Sequence, residues 1–186
     1  MERCEALIIG GSAGSLEVLL KVLPDIDPLL SFPIIIVLHR KSGKDSILID
    51  LFAAKTELNV KEIEEKEKIV NGSIYIAPPN YHILIEMDKT FSLDASEKVN
   101  YSRPSIDISF ESAAEVFGNN LVGLLLSGAN SDGSDGLKKI KKCGGKTVIQ
   151  DPKNSVVSYM PEYALEHVKI DEVLNPEEMA DFINKL

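Results

Sequence analysis

The sequence predicts an α/β protein: a doubly wound, mainly parallel sheet with helices on both faces and a short antiparallel hairpin near residues 82–93. Two observations predict it. Short continuous apolar runs such as "PIIIVLH" (33–39) and "LVGLLLSG" (121–128) alternate with stretches of helical periodicity. Such alternation is how strands covered on both faces announce a parallel sheet. A length of 186 residues, with 44% hydrophobic and 26% charged residues, also suits one domain large enough to bury a substantial core, so residues 1–186 are read as a single domain.

The elements follow in order. "ALII" (6–9) is a short buried strand. Leu16, Leu19, Leu20 and Leu23 then recur at helical spacing, and that helix ends before Pro24. A strand at 33–39 precedes a helix over 46–54. "SIYIAP" (73–78) and "HILIE" (82–86) read as strands, the second pairing with "TFSL" (90–93). Phe110, Ala113, Ala114 and Phe117 mark a helix, which leads to the strand at 121–128 and a helix near 134–142. "KTVIQ" (146–150) is a strand after the Gly144-Gly145 turn. A helix near 161–167 and a strand at 171–174 lead to a last helix with Asn175 as N-cap and Pro176 in its first position. The mixed charge run from Lys61 to Lys68 reads as solvated surface without a function.

Composition removes several function classes. A net charge of −9 argues against nucleic-acid binding, which calls for a basic surface. Two cysteines, Cys4 and Cys143, make neither a disulfide framework nor zinc spacing, which fits a reducing cytoplasm. No apolar stretch is long enough for membrane insertion, and "MERCE" does not open a signal peptide.

The first strand runs into "GGSAG" (10–14), with Ser12 at its centre. The dinucleotide fingerprint fails here, because Ser12 or Ala13 stands where its second glycine should. The P-loop fails for want of Gly-Lys-Ser/Thr. G-x-S-x-G fits the nucleophile elbow, in which a serine is lifted on a tight strand-to-helix turn, and glycines 10, 11 and 14 are read as the residues that permit the turn. In open parallel sheets ligands bind beyond the carboxyl ends of the strands. Ser12, His39 and Asp132 each lie at or just past such an end. A serine needs a base, and the base needs a carboxylate to orient it.

There are three histidines. His39 ends a buried strand, His82 starts one, and His167 ends a helix. The order Ser12…Asp132…His167 would match an α/β-hydrolase, and Asp132 shares its loop with Asp135, where both could cap the following helix. Elimination therefore leaves His39 against His167 open, while position favours Asp132 over Asp135.

Six stretches together resemble the catalytic domain of the chemotaxis receptor methylesterases, the CheB family: "IIGGSAGSLEVLLKVLP", "PIIIVLH", "GSIYIAPPNYHILI", "SRPSIDISFESAA", "VGLLLSGANSDGSDGLKKIKKCGGKTVIQD" and "SVVSYMPEYAL". The resemblance implies Ser12, His39 and Asp132 as the catalytic triad. It implies hydrolysis of glutamyl γ-methyl esters on the cytoplasmic helices of methylated chemoreceptors, with deamidation of receptor glutamines as related chemistry and no metal or organic cofactor. By position, the oxyanion donors are expected at the backbone N–H groups of Ala13 and Ala129.

The chain departs from the family pattern at Ser15, Leu38 and Ala129, and in "RKSGKDS" after His39. The last change is expected to alter receptor docking. Family members commonly carry an N-terminal receiver domain, for which this chain has no room. Activity without a phosphodonor is therefore expected, with control left to a separate regulatory protein or to expression. Two other readings stand beside the esterase: a different acyl hydrolase on the same scaffold, and a catalytically silent partner-binding module.

Overall fold

A computed structural model describes residues 3–40 and 45–186. Residues 1–2, part of the segment read for a leader, and residues 41–44, most of the departure after His39, lie outside the described residues. Nine strands and six helices appear among those described: β1 (Ala6–Gly11), α1 (Ser15–Val22), β2 (Ile34–Leu38), α2 (Asp45–Ala53), β3 (Asn59–Glu62), β4 (Ser73–Ile76), β5 (His82–Ile85), β6 (Phe91–Asp94), α3 (Ile106–Phe117), β7 (Leu121–Leu125), α4 (Ser134–Lys142), β8 (Lys146–Gln150), α5 (Tyr159–His167), β9 (Glu172–Leu174) and α6 (Pro176–Asn184). Seven strands form one sheet in the order β3-β4-β2-β1-β7-β8-β9, and every pairing in it is parallel. The expected hairpin is β5–β6, antiparallel and separate from the main sheet.

Side chains alternate across a strand, and the core divides accordingly. Leu7, Ile9, Ile34, Ile36, Val122 and Leu124 face α1, α2 and α6, packing with Val18, Leu19, Phe52, Met179 and Ile183. Ala6, Ile8, Ile35, Val37, Leu121 and Leu125 face the other way, against Phe110, Ala113, Leu137, Met160 and the hairpin residues Ile83 and Phe91. Helices on both faces make the sheet doubly wound. The chain leaves β1 for β2 on one side and later returns to pair β7 with β1 on the other. The carboxyl ends of β1 and β7 therefore flank the topological switch point, where open α/β sheets hold their ligands.

Two expectations need correction. The buried face of α1 carries Ser15, Val18, Leu19 and Val22, whereas Leu16 is exposed. The leucine pattern overlooked Val18 and Val22, which share the stripe with Leu19. Lys61 and Glu62, which open the charged run, also close the edge strand β3 (Asn59–Glu62). An edge strand pairs on one side only and tolerates charge, so its composition resembles surface. The helix near 161–167 begins earlier, at Tyr159. The last helix starts as expected, and the Glu178 carboxylate accepts from the Asn175 N–H (2.8 Å) to complete a capping box.

Candidate active site

Ser12 and His39 are brought together by strand register. Gly11 of β1 faces Leu38 of β2, and the His39 N–H donates to the Gly11 carbonyl (3.1 Å). The next residue on each strand is therefore Ser12 beside His39. The alternation that sends Ile8 and Val37 to the α3 face carries Ser12 and His39 to the same face.

The turn after β1 differs from the expected elbow. Gly14 is the residue in the left-handed region (φ 86°), and Ser12 is not among the residues with positive φ. Gly10 and Gly11 lie within the strand. A Cβ on Gly10 would sit 2.4 Å from Ile106 Cγ2, so this glycine admits the start of α3 against β1. Buried hydroxyls pin the turn. The Ser15 hydroxyl donates to the Ser127 carbonyl (2.7 Å) and accepts from the Ser12 N–H (2.9 Å). Ser127 Oγ accepts from the Val157 N–H (2.9 Å) and reaches the Ala13 carbonyl (2.7 Å). Ser127 is held in turn by its own N–H donating to Gln150 Oε1 (3.0 Å). A Cβ on Gly128 would lie 3.1 Å from Ser12 Cβ, so the loop after β7 closes directly on the serine.

Asp132 is fully buried and is an acceptor at both oxygens. Oδ2 takes His39 Nε2 (2.7 Å) and the Ile106 N–H (2.8 Å). Oδ1 takes the Ser105 hydroxyl and the Asp107 N–H (3.0 Å each). The backbone donors are buried N–H groups at the start of α3 that have no partner within the helix, and the helix dipole there favours a negative charge. Burial pushes the Asp132 carboxyl up. Hydrogen bonds from His39 and from the Ile106 and Asp107 N–H groups outweigh it and hold the group below the usual carboxylate range. An ionised carboxylate only accepts, so His39 carries its proton on Nε2 and leaves the Nδ1 lone pair free to take another.

Asp107, assigned no role in the sequence, completes a reciprocal arrangement. Asp132, just before α4, accepts from the start of α3. Asp107, in the first turn of α3, accepts from the Gly133 and Gly136 N–H groups at the start of α4 (2.8 Å each). A Cβ on Gly136 would meet Phe110 Cβ at 2.5 Å, so the two helices approach at that glycine. Burial pushes the Asp107 carboxyl up to about 7; the Gly136 N–H opposes the rise and the neighbouring Asp132 charge adds to it. The aspartates therefore do not both cap the following helix, as the loop suggested. Asp132 caps the preceding one, while Asp135 is exposed and pairs with Lys138 (2.7 Å).

The other histidines have structural partners. His82 is fully buried. Its Nδ1 accepts from the Ser105 N–H (3.0 Å), and its Nε2 bonds the Glu97 carbonyl (3.0 Å). It thus fixes the residue whose hydroxyl reaches Asp132. His167 is exposed, bonds the Tyr163 carbonyl (2.8 Å) and stacks on the Tyr163 ring. Ala13 and Ala129 are exposed on the loops that flank Ser12. Among the described residues no cluster of three or more His, Cys, Asp or Glu side chains could hold a metal, and no helix is long and apolar enough to cross a membrane.

Residues 7–183 match the CheB methylesterase family. The chain belongs to that family. A Leptospira interrogans relative, provisionally named protein-glutamate methylesterase/protein-glutamine glutaminase, is 46% identical over 182 residues, covering 98% of this chain and 94% of its own. A protein-glutamate methylesterase/protein-glutamine glutaminase of Thermotoga maritima is 32% identical over 171 residues, covering 90% of this chain and 50% of its own, so this chain spans about half of that relative. The crystal structure of the Thermotoga maritima CheB methylesterase catalytic domain superposes with a TM-score of 0.93 at 30% identity and 98% coverage of both chains. Two departures from the CheB pattern fall at buried positions: Ser15 in the network under the turn and Leu38 in the core facing α1. Ala129 stands exposed beside the serine.

Proposed function

We propose that this chain hydrolyses glutamyl γ-methyl esters on chemoreceptors, with Ser12 as nucleophile, His39 as base and Asp132 as the carboxylate that orients it. The 2.7 Å bond between His39 Nε2 and Asp132 Oδ2 at the switch point carries the reading. It sets the tautomer and leaves the His39 Nδ1 lone pair available to accept a proton.

Ser12 Oγ attacks the ester carbonyl while its proton passes to His39 Nδ1. The imidazolium is stabilised by Asp132, whose charge is held by the start of α3. The Ala13 and Ala129 N–H groups, on the two loops that meet at Ser12, receive the oxyanion. Collapse of the tetrahedral intermediate breaks the bond to methoxide, which takes the Nδ1 proton and leaves as methanol. Water, deprotonated by the same nitrogen, then attacks the acyl-enzyme and releases the glutamate carboxylate and the serine hydroxyl. The same steps with ammonia as leaving group deamidate a glutamine. No step calls for a cofactor, and a cytoplasmic setting suits the substrate.

Replacing the nucleophile tests the assignment. Ser12→Ala should reduce methanol release from methylated receptor by about 10⁶-fold and leave Tm within a degree or two. The backbone bonds made by Ser12 do not depend on its hydroxyl. Retained turnover in the folded variant would refute it.

A further inference from the structure

Val99 to Ser102 form a tight hairpin turn. The Ser102 N–H donates to the Val99 carbonyl (2.9 Å) and the Val99 N–H to the Ser102 carbonyl (3.2 Å). The two central residues, Asn100 and Tyr101, have φ of 49° and 63°. A turn with two left-handed residues favours asparagine or aspartate first and glycine second. Asn100 fits, and its amide donates to Asp107 Oδ2 (3.2 Å), which ties the turn to the start of α3. Tyr101 does not fit, because a bulky side chain is strained where glycine is at ease. Packing gives nothing back, since the residue is 97% exposed.

Strain that folding does not reward tends to mark a working surface. Tyr101 stands at such a place. With His39, Arg40, Lys98 and Arg103 it lines a cleft of about 580 Å³. Arg40 is bonded to Glu62 and to the Ala77 carbonyl (2.9 Å each). Arg103 Nη1 is held by the carbonyls of Ala95 and Ser96 (2.7 and 2.5 Å), which orient it without neutralising it. Lys98 is exposed. Cations but no carboxylate line the cleft among the described residues, in a chain of net charge −9. A substrate helix bearing glutamyl esters gains one carboxylate with each hydrolysis, so the cleft complements the charge such a helix acquires.

We infer that Tyr101 is a specificity residue of the esterase: its ring packs on the receptor helix beside the scissile ester while Lys98 and Arg103 receive carboxylates on the same helix. The inference rests on the methylesterase reading above.

The test compares wild type and Tyr101→Gly on two substrates, a methylated receptor cytoplasmic fragment and p-nitrophenyl acetate, with Tm measured alongside. Glycine removes the ring and relieves the turn, so the variant should melt higher than wild type. The ratio of kcat/KM on receptor to kcat/KM on the small ester should fall about tenfold, mostly through KM. Lys98→Glu should lower the same ratio and weaken its dependence on salt. A Tyr101→Gly variant with an unchanged ratio, in a wild type that demethylates receptor, overturns the inference alone. A wild type that cleaves the small ester but releases no methanol from receptor overturns the methylesterase reading, and this inference with it.

Discussion

Tyr101 and Asp107 are six positions apart and tied through Asn100, yet they belong to opposite kinds of structure. Around Asp107 every feature is over-determined. Two carboxylates exchange the starts of two helices, a buried histidine fixes Ser105, and glycines let the backbones meet. Around Tyr101 the backbone is strained and the side chain stands in water. The contrast separates two demands on one site. The reacting groups need positions that do not relax, which a bonded interior supplies. A surface that must meet another protein has to leave groups unsatisfied until that protein arrives.

The largest expected effect comes from breaking the bonded side. Asp132→Asn should lower turnover by about 10⁴-fold, through loss of the carboxylate that sets the His39 tautomer. It should also lower Tm clearly, because hydrogen bonds to a charged acceptor are each worth about 1.5–3 kcal/mol and four donors converge there. Asp135→Asn, at an exposed ion pair, should do neither. Equal losses in the two variants would put the orienting carboxylate in doubt.

A smaller effect separates Asp107 from Asp132. Burial raises the Asp107 carboxyl from an ordinary 3.8 to about 7, so between those values the unfolded chain binds fewer protons than the folded one. Stability from this group is full below about pH 4 and is lost as pH rises towards 7. Asp132, held low, acts in the opposite sense: its contribution is present above its ordinary value and lost as pH falls below it. Asp107→Asn removes the first dependence. The Tm of the variant relative to wild type should therefore climb as pH goes from 4 to 7. A flat difference would mean that Asp107 is ionised throughout.

The smallest effect should come from His167→Ala. Its partners are Tyr163 atoms on an exposed helix face, so turnover should stay within twofold of wild type. A dead but folded variant would restore the α/β-hydrolase order.

Features set by local pattern were legible in the sequence. Apolar runs marked the central strands, Asn175-Pro176 marked the last helix, and strand ends placed Ser12, His39 and Asp132 on one edge. Features set by distant partners were not. Asp107 in a first helical turn reads as a complement to its own helix dipole, whereas its acceptors' partners lie 26 and 29 residues further on. Glycines 10, 11 and 14 looked alike in sequence, yet one turns the chain and another makes room for a helix that starts 96 positions later, at Ile106. Asn59–Glu62 has too few apolar residues to declare a strand that depends on β4 for its pairing.

The pairing of β1 with β7 has a consequence for how the protein is made. β1 is synthesised first among the strands, yet one of its two neighbours is β7, and the contact that closes the serine turn, Ser127 to Ala13, spans 114 residues. While the chain emerges from the ribosome, β1 can pair with β2, but its other edge has no partner until residue 121 appears. During that interval the serine exists without the aspartate, and an apolar strand edge is open to solvent. Hydrolytic competence therefore waits until the sheet closes at its centre.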